Sequence, residues 1–125
     1  MSKDIRYDYK SGEMEKLGTH AILNIYGVEF SKLNDINFTY SVFENAVSRC
    51  GATLVSSQHK LFSPQGLTYI GLLSESHISI HTWPEMGNAC IDIFTCGEHV
   101  DTMVALQYII DEYAPSSHWV KVVDR

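Results

Sequence analysis

The sequence predicts an α+β domain, a two-layer sandwich with a largely antiparallel sheet and helices on one face. Short segments with strand-like apolar patterns follow one another through short loops, which is typical of antiparallel strands. Two longer segments carry apolar residues at helical spacing, so helices can cover one face of the sheet. A length of 125 residues suits a single domain, residues 1–125.

The first half of the chain predicts two strands and a helix. Residues 1–17 are polar and aperiodic, which indicates a loose arm. Residues 20–26 alternate as a strand, and residues 34–50 have the apolar spacing of a helix. Residues 52–62 predict a second strand, and the Ser-Pro-Gln-Gly run at 63–66 has the composition of a turn.

Three further strands are expected in the next thirty or so positions. Residues 67–73 are apolar, and residues 77–83 form a fourth strand that Pro84 ends, because proline cannot donate to a strand ladder. Residues 85–88 are expected to be a loop, and residues 89–95 a fifth strand. The sheet is therefore expected to be built mainly from this region.

The chain closes with one helix and one strand. Residues 100–113 have apolar positions at helical spacing, and Pro115 ends that pattern. Residues 119–123 predict a final strand. No internal repeat and no low-complexity tract interrupts the pattern, so we expect one folded unit.

Composition limits the partners and the compartment. The formal net charge of −6 argues against nucleic acid or an anionic membrane as the main partner. It weakly favours a cationic substrate. Three cysteines without a CxxC spacing do not form a disulfide framework, and neither a signal peptide nor a membrane-spanning run is visible. We expect a cytoplasmic protein.

Residues 73–85 hold an unusual density of polar side chains for a core strand: two histidines, three serines and two glutamates. Such groups are costly to bury without partners. A hydrogen-bonded polar patch on an edge strand explains them about as well as a functional site. The two-residue strand period places His77, Ser79 and His81 on one face.

Two simpler site types fit this segment poorly. A zinc site would use the histidines with Cys90 or Cys96, but no close ligand pair of the usual spacing is present, so no metal site is predicted. A Ser-His-Asp hydrolase would need an exposed nucleophile, and Ser76 lacks the G-x-S-x-G elbow.

Three sequence segments together resemble a known family. Residues 74–85 read SESHISIHTWPE, residues 89–97 read ACIDIFTCG, and residues 59–66 read HKLFSPQG. They are similar to the short prokaryotic S-adenosylmethionine decarboxylases, which are made as self-cleaving proenzymes. The resemblance covers roughly residues 18–123, and the ESHxxIHTWPE run makes it specific.

The resemblance implies self-cleavage between Glu75 and Ser76, which gives a beta chain of residues 1–75 and an alpha chain of residues 76–125. In the family, the serine hydroxyl attacks the preceding carbonyl, and the serine becomes a covalent pyruvoyl group. That group forms a Schiff base with the substrate amine. His81 matches the histidine that transfers a proton during processing.

Other site residues are implied by the same match. Cys96 matches the proton donor of the decarboxylation. Thr68 stands where the family usually has a serine that supports processing, and Tyr69 stands where it has a glycine. Both differences are expected beside the cleavage site, where they would alter processing and pocket shape. Asn24 replaces an aspartate of the family's first strand.

The implied substrate pocket uses Phe62, Trp83 and Glu85, with Val123 at its border. Aromatic faces suit an adenine ring and a sulfonium cation, and a carboxylate accepts hydrogen bonds from ribose hydroxyls. Family members are dimers whose sites use both chains, so a homodimer of processed protomers is expected. No metal, nucleic-acid or membrane partner is implied.

The implied reaction is the decarboxylation of S-adenosylmethionine, whose product donates aminopropyl groups for spermidine synthesis. A pyruvoyl-dependent arginine or ornithine decarboxylase on the same scaffold is an alternative, because the keto group needs only an amine and a carboxylate. An unprocessed, non-catalytic homologue is a second alternative. The substitutions at Thr68 and Tyr69 keep both open.

Overall fold

The computed structural model describes residues 16–125, and a six-stranded antiparallel sheet forms the centre of this part of the chain. Its strands are β1 (Thr19–Tyr26), β2 (Leu54–Leu61), β3 (Leu67–Leu73), β4 (Ser76–Trp83), β5 (Asn88–Thr95) and β6 (Ser117–Asp124). They lie in the order β2-β3-β4-β5-β1-β6, and each neighbouring pair is antiparallel. The predicted α+β class and antiparallel sheet are confirmed.

The helices are α1 (Phe30–Leu33), α2 (Ile36–Arg49) and α3 (Thr102–Tyr113), with a short 3-10 helix at Pro84–Met86. The Asp35 side chain caps α2 by accepting a hydrogen bond from the Phe38 amide at 3.0 Å. Sequence periodicity missed α1 because four residues are too few to show a helical period. The expected loop at 85–88 instead begins within the 3-10 helix and ends in β5.

One face of the sheet packs against the helices and the other does not. In β4, Ile78, Ile80 and Thr82 are buried, and they alternate with the more accessible His77 and His81. We call the side that carries His77 and His81 the open face. The shared face predicted for these histidines is confirmed. The buried apolar core lies between the sheet and the two longer helices, with Leu23, Ile25, Phe43, Val47, Ile91, Ile93, Leu106 and Ile109 among its members.

The predicted arm, residues 1–17, lies almost wholly outside the described residues. Within residues 16–125, no helix is both long enough and apolar enough to cross a membrane.

Tyr69 lies in this core, and this corrects one expectation from the sequence. Its ring is fully buried and contacts Tyr40 and Phe43 at centroid distances of 4.8 and 5.3 Å. The side chain therefore points away from the open face and cannot shape a pocket there. Gly71 makes room for it, because a Cβ at that position would lie 3.3 Å from the Tyr69 hydroxyl.

Replacing Tyr69 with phenylalanine is expected to raise the free energy of unfolding by up to about 1 kcal/mol. The buried hydroxyl makes no well-formed hydrogen bond with the described residues, and leaving such a group unpaired is costly. Burial raises the pKa of Tyr69, and the neighbouring Ser57 side chain offsets only part of that rise. Urea denaturation measures the change. The matched control is Y113F, whose buried hydroxyl donates to Thr39 and which should lose stability instead. A clear loss of stability in Y69F would contradict this assignment.

Candidate active site

A strained turn stands immediately before Ser76. Leu73 pairs with Ser76 across the β3–β4 hairpin, so only Ser74 and Glu75 make the turn. Glu75 has a φ of +59°, in the left-handed region that residues other than glycine rarely adopt. Such a conformation costs on the order of 1–3 kcal/mol and persists only where the surrounding structure holds it. The strain lies next to the Glu75–Ser76 peptide bond.

Cys96 contacts both atoms that a cleavage at this bond would use. Its backbone amide donates a hydrogen bond to Ser76 Oγ at 3.2 Å. Its Sγ donates to the Glu75 carbonyl oxygen, also at 3.2 Å. One residue at the end of β5 therefore fixes the serine hydroxyl and polarises the carbonyl that precedes it. This is the arrangement expected of a donor that stabilises negative charge on that carbonyl oxygen.

A cavity of about 260 Å³ opens beside these three residues. Thr53, Thr95 and Val100 line it together with His99. His99 belongs to the loop between β5 and α3, and its ring lies about 3.0 Å from where a Gly97 side chain would begin. The sequence analysis missed His99. Its position three residues after Cys96 was the available signal.

His81 and Thr68 lie at the other end of the same hairpin. They pair across β3 and β4, and Thr68 Oγ1 is 2.9 Å from His81 Nδ1. Five residues of extended strand separate His81 from Ser76, roughly 16 Å at about 3.3 Å per residue. The expectation that the Thr68 substitution lies beside the cleavage site of its own chain is therefore wrong.

The predicted substrate-binding residues gather around His81 rather than around Ser76. A second cavity, of about 320 Å³, is lined by Phe62, Trp83 and Glu85 together with Thr68 and His81. Both aromatic side chains are partly exposed, so their faces are available to a ligand. The sequence therefore predicted residues of both cavities, but it did not show that the two cavities of one chain lie apart.

Two of the remaining positions lie away from these cavities. Val123 is on β6, opposite His20 of β1, and it lines neither cavity. Asn24 lies on β1, opposite Cys90 of β5.

A third cluster lies on the open face, where β4, β5 and β1 run side by side. Asp92 Oδ2 is 2.8 Å from His20 Nε2 and 3.0 Å from His77 Nε2, and Ser79 Oγ donates to Asp92 Oδ1. Burial alone would raise the pKa of Asp92, but the bonds from Ser79, His77 and His20 outweigh it and lower that pKa. The sequence analysis did not connect His20 and Asp92 to His77, because three separate strands contribute them.

Comparison with known proteins gives a consistent result. Residues 19–125 match the family described as S-adenosylmethionine decarboxylase. The chain is 44% identical to an S-adenosylmethionine decarboxylase proenzyme of Brevibacillus brevis, over 90% of this chain and 85% of the relative. A proenzyme of the same description from Methanococcus maripaludis is 54% identical, over 70% of this chain and 71% of the relative.

Solved structures agree with the sequence relatives. The crystal structure of the adenosylmethionine decarboxylase from Aquifex aeolicus superposes with a TM-score of 0.83 at 37% identity, covering 90% of this chain and 92% of that one. The Trypanosoma brucei AdoMetDC monomer shares the fold, with a TM-score of 0.64 at 13% identity over 83% of this chain and 45% of that one. The family match over residues 19–125 and these similarities show that the chain belongs to the S-adenosylmethionine decarboxylase family.

Proposed function

We propose that this chain cuts itself between Glu75 and Ser76 and then decarboxylates S-adenosylmethionine. The products of the cut are residues 1–75 and residues 76–125, with a pyruvoyl group in place of Ser76. The observation that carries the proposal is the pair of hydrogen bonds from Cys96, one to the serine hydroxyl and one to the carbonyl it would attack.

The cut follows from the chemistry of a β-hydroxyl next to a strained turn. Ser76 Oγ adds to the Glu75 carbonyl carbon, and the carbon–nitrogen bond breaks once the nitrogen takes up a proton, which leaves an ester. Removal of the Ser76 α-proton then breaks the bond from Cβ to the ester oxygen and releases Glu75 as a free carboxylate. Water replaces the remaining nitrogen, which leaves as ammonia, and a keto group remains.

Cys96 stabilises the first of these steps. As Ser76 adds to the carbonyl, negative charge develops on the Glu75 oxygen, which already accepts a hydrogen bond from the Cys96 thiol. Relief of the left-handed conformation at Glu75 favours the same direction. Once residues 1–75 have a free end, the thiol is available to return a proton to the substrate carbon.

Replacing Cys96 with alanine is expected to slow self-cleavage by about 10- to 100-fold. A full oxyanion donor is worth about 10²–10³ in rate, and a thiol is a weaker donor. After slow maturation, kcat should fall further, by about 10²–10⁴, because the general acid is missing. Gel densitometry gives the first rate, and a decarboxylation assay of the matured fraction gives the second. Cys90→Ala, which keeps Cys96, serves as the control. Unchanged values for both rates in C96A would contradict this role.

The proton carrier for the cut comes from a second copy of the chain in this proposal. His81 lies roughly 16 Å from the Ser76 of its own chain, by strand length, so it cannot reach that hydroxyl. When its Nδ1–H donates to Thr68, its Nε2 is left as a base. The open face also exposes Ile70, Leu72 and Trp119, apolar side chains that a second copy would cover. A homodimer that joins the two cavities completes the site.

His99 is a second candidate for this base, because it lines the cavity of its own Ser76. It needs no partner chain. No hydrogen bond within residues 16–125 orients its ring in the way that Thr68 orients His81, so we favour His81. The variants described in the Discussion separate the two.

The substrate pocket is the cavity of Phe62, Trp83 and Glu85. The aromatic faces suit the adenine ring and attract the sulfonium charge, and the Glu85 carboxylate accepts from the ribose hydroxyls. The pyruvoyl group supplies an electron-withdrawing carbonyl that takes up the electrons released when carbon dioxide leaves. In the homodimer, Phe62, Trp83 and Glu85 of one copy then bind the nucleoside near the Ser76 of the other copy, whose Cys96 delivers the proton.

A side-by-side assay tests the substrate. Processed protein is incubated with carboxyl-labelled S-adenosylmethionine, arginine or ornithine, and the labelled carbon dioxide is counted. Release from S-adenosylmethionine alone is expected, because only this substrate has both an adenine ring for the aromatic faces and ribose hydroxyls for Glu85. Release from arginine or ornithine alone would show that the amino acid is the substrate. Absence of release from every substrate, with processed protein, would contradict the proposed decarboxylase activity.

A further inference from the structure

The cluster of His20, His77 and Asp92 on the open face takes no part in the chemistry above. Its members come from β1, β4 and β5, and they meet at the centre of the sheet. We propose that these three side chains bind one divalent transition-metal ion of the zinc type.

The donor atoms converge as a metal site requires. His20 Nε2, His77 Nε2 and an Asp92 oxygen all lie within 4.8 Å of one another. Ligands at about 2.0–2.1 Å around a tetrahedral zinc ion lie roughly 3.3 Å apart. The two hydrogen-bonded pairs therefore need to separate by only a few tenths of an ångström, while the two imidazole nitrogens, which lie within 4.8 Å of each other, need to approach by up to about 1.5 Å. Two imidazoles and a carboxylate favour zinc over magnesium or calcium, which prefer oxygen ligands.

The surroundings hold the ligands in place. Ser79 Oγ donates to Oδ1 of Asp92, which directs the other oxygen toward the two imidazoles. The Phe94 ring packs against His20 and His77, with centroids 5.8 and 6.3 Å away. Outer contacts of this kind orient metal ligands, and losing one typically weakens binding about 10- to 100-fold.

Accessibility also fits a bound ion. In the single chain, the side chains of His20, His77 and Asp92 are 20%, 36% and 29% exposed, so an ion can enter from the open face before a second copy covers it. Such a site with three protein ligands keeps one position for water or for another ligand. An ion held here would tie together three strands and fix the residue that follows Ser76.

One neighbour opposes the ion and supplies a distinctive test. Arg125 Nη1 donates to His20 Nδ1 at 3.3 Å, so a permanent positive charge lies beside one ligand. Replacing Arg125 with glutamine removes that charge and supplies an acceptor for Nδ1–H. The variant R125Q is therefore expected to bind zinc more tightly than the unmodified protein, although it contributes no ligand.

The experiment uses the tag-free protein of residues 1–125 as purified, whether cut or uncut, stripped with a chelator and titrated with Zn²⁺ against a chromophoric competitor. One zinc ion per chain is expected. Binding should weaken more than 100-fold in H77Q and in D92N, and about 10- to 100-fold in S79A. The control C90S removes the exposed thiol opposite His81 and should bind as tightly as the unmodified chain. Circular dichroism verifies that each variant is folded.

Three results would overturn the site: no zinc retained by the unmodified chain at micromolar concentration, equal retention by both ligand variants, or loss of binding in C90S. Two independent ligand variants keep the test decisive if one of them fails to fold. Because zinc stoichiometry is the readout, the outcome does not depend on whether the chain decarboxylates S-adenosylmethionine.

Discussion

Replacing Ser76 with alanine abolishes both self-cleavage and decarboxylation, and this is the largest effect that the proposed function predicts. The methyl group of alanine cannot attack the Glu75 carbonyl, and without Oγ there is no ester oxygen to eliminate from Cβ. The variant therefore lacks the atom on which both steps depend. The strained φ at Glu75 and the bonds from Cys96 remain, but they have nothing to act on. A denaturing gel of freshly purified protein should show one intact band. The assay with carboxyl-labelled S-adenosylmethionine should show no release of carbon dioxide.

The matched control for this experiment is Ser74→Ala, in the same two-residue turn. Its hydroxyl precedes Glu75 and cannot form the ester at the Glu75 carbonyl, so the variant should be cleaved like the unmodified chain. Cleavage of S76A at the same bond would show that another nucleophile cuts the chain. Loss of cleavage in S74A, while S76A is still cut, would move the reactive residue by two positions.

Mixing two inactive variants is expected to restore cleavage, and this is the second large effect. S76A lacks the nucleophile and H81Q lacks the base, whose loss alone should slow cleavage by about 10²–10⁴. In a mixed dimer, the Ser76 of the H81Q chain meets the His81 of the S76A chain, so one of the two sites is complete. Only the H81Q chain should then be cut.

Differential labelling of the two chains identifies which one is cut. The proteins are unfolded together, refolded and followed by mass spectrometry, and H81Q refolded alone is the control. Recovery in the mixture but not in the control supports a site shared between chains. Normal cleavage of H81Q alone, together with none in H99Q, would assign the base to His99 of the same chain and remove the need for a partner.

Local patterns predicted most of the fold. The alternation of Ile78 and Ile80 with His77 and His81 identified both β4 and its two faces, because strand side chains point alternately to opposite sides. Pro84 marked the end of that strand because proline has no backbone N–H to donate to a strand ladder. The 3-10 helix Pro84–Met86 and α1 were missed, since three and four residues are too few to show a repeating helical pattern of apolar positions.

The candidate site was less accessible to sequence reasoning. The positive φ of Glu75 depends on the register of Leu73 with Ser76, which the identity of the turn residues did not reveal. The contact of Cys96 with Glu75 joins positions 21 residues apart in sequence, and only the β4–β5 pairing brings them together. Ser76 and His81 belong to the same short motif, which suggests that they act together. They lie far apart because the motif is one extended strand, β4.

The cluster of His20, His77 and Asp92 illustrates the same limit. Asp92 is opposite Ser79, and His77 is opposite Phe94, so the cluster forms through diagonal contacts across three strands. No spacing in the sequence encodes that arrangement. The sequence disfavours a metal site of His77 and His81 with cysteines, and the structure brings His77 to a different histidine and to a carboxylate instead.

Intact mass spectrometry of the purified, unmodified chain tests the central claim most directly. The proposal predicts two polypeptides, residues 1–75 with a free carboxyl end and residues 76–125 lighter than the same residues with an intact serine by the mass of one ammonia molecule. The new terminus should also resist amine-directed sequencing and should react with hydroxylamine, as a keto group does. A single polypeptide of 125 residues with an ordinary serine at position 76, under native conditions, would contradict it.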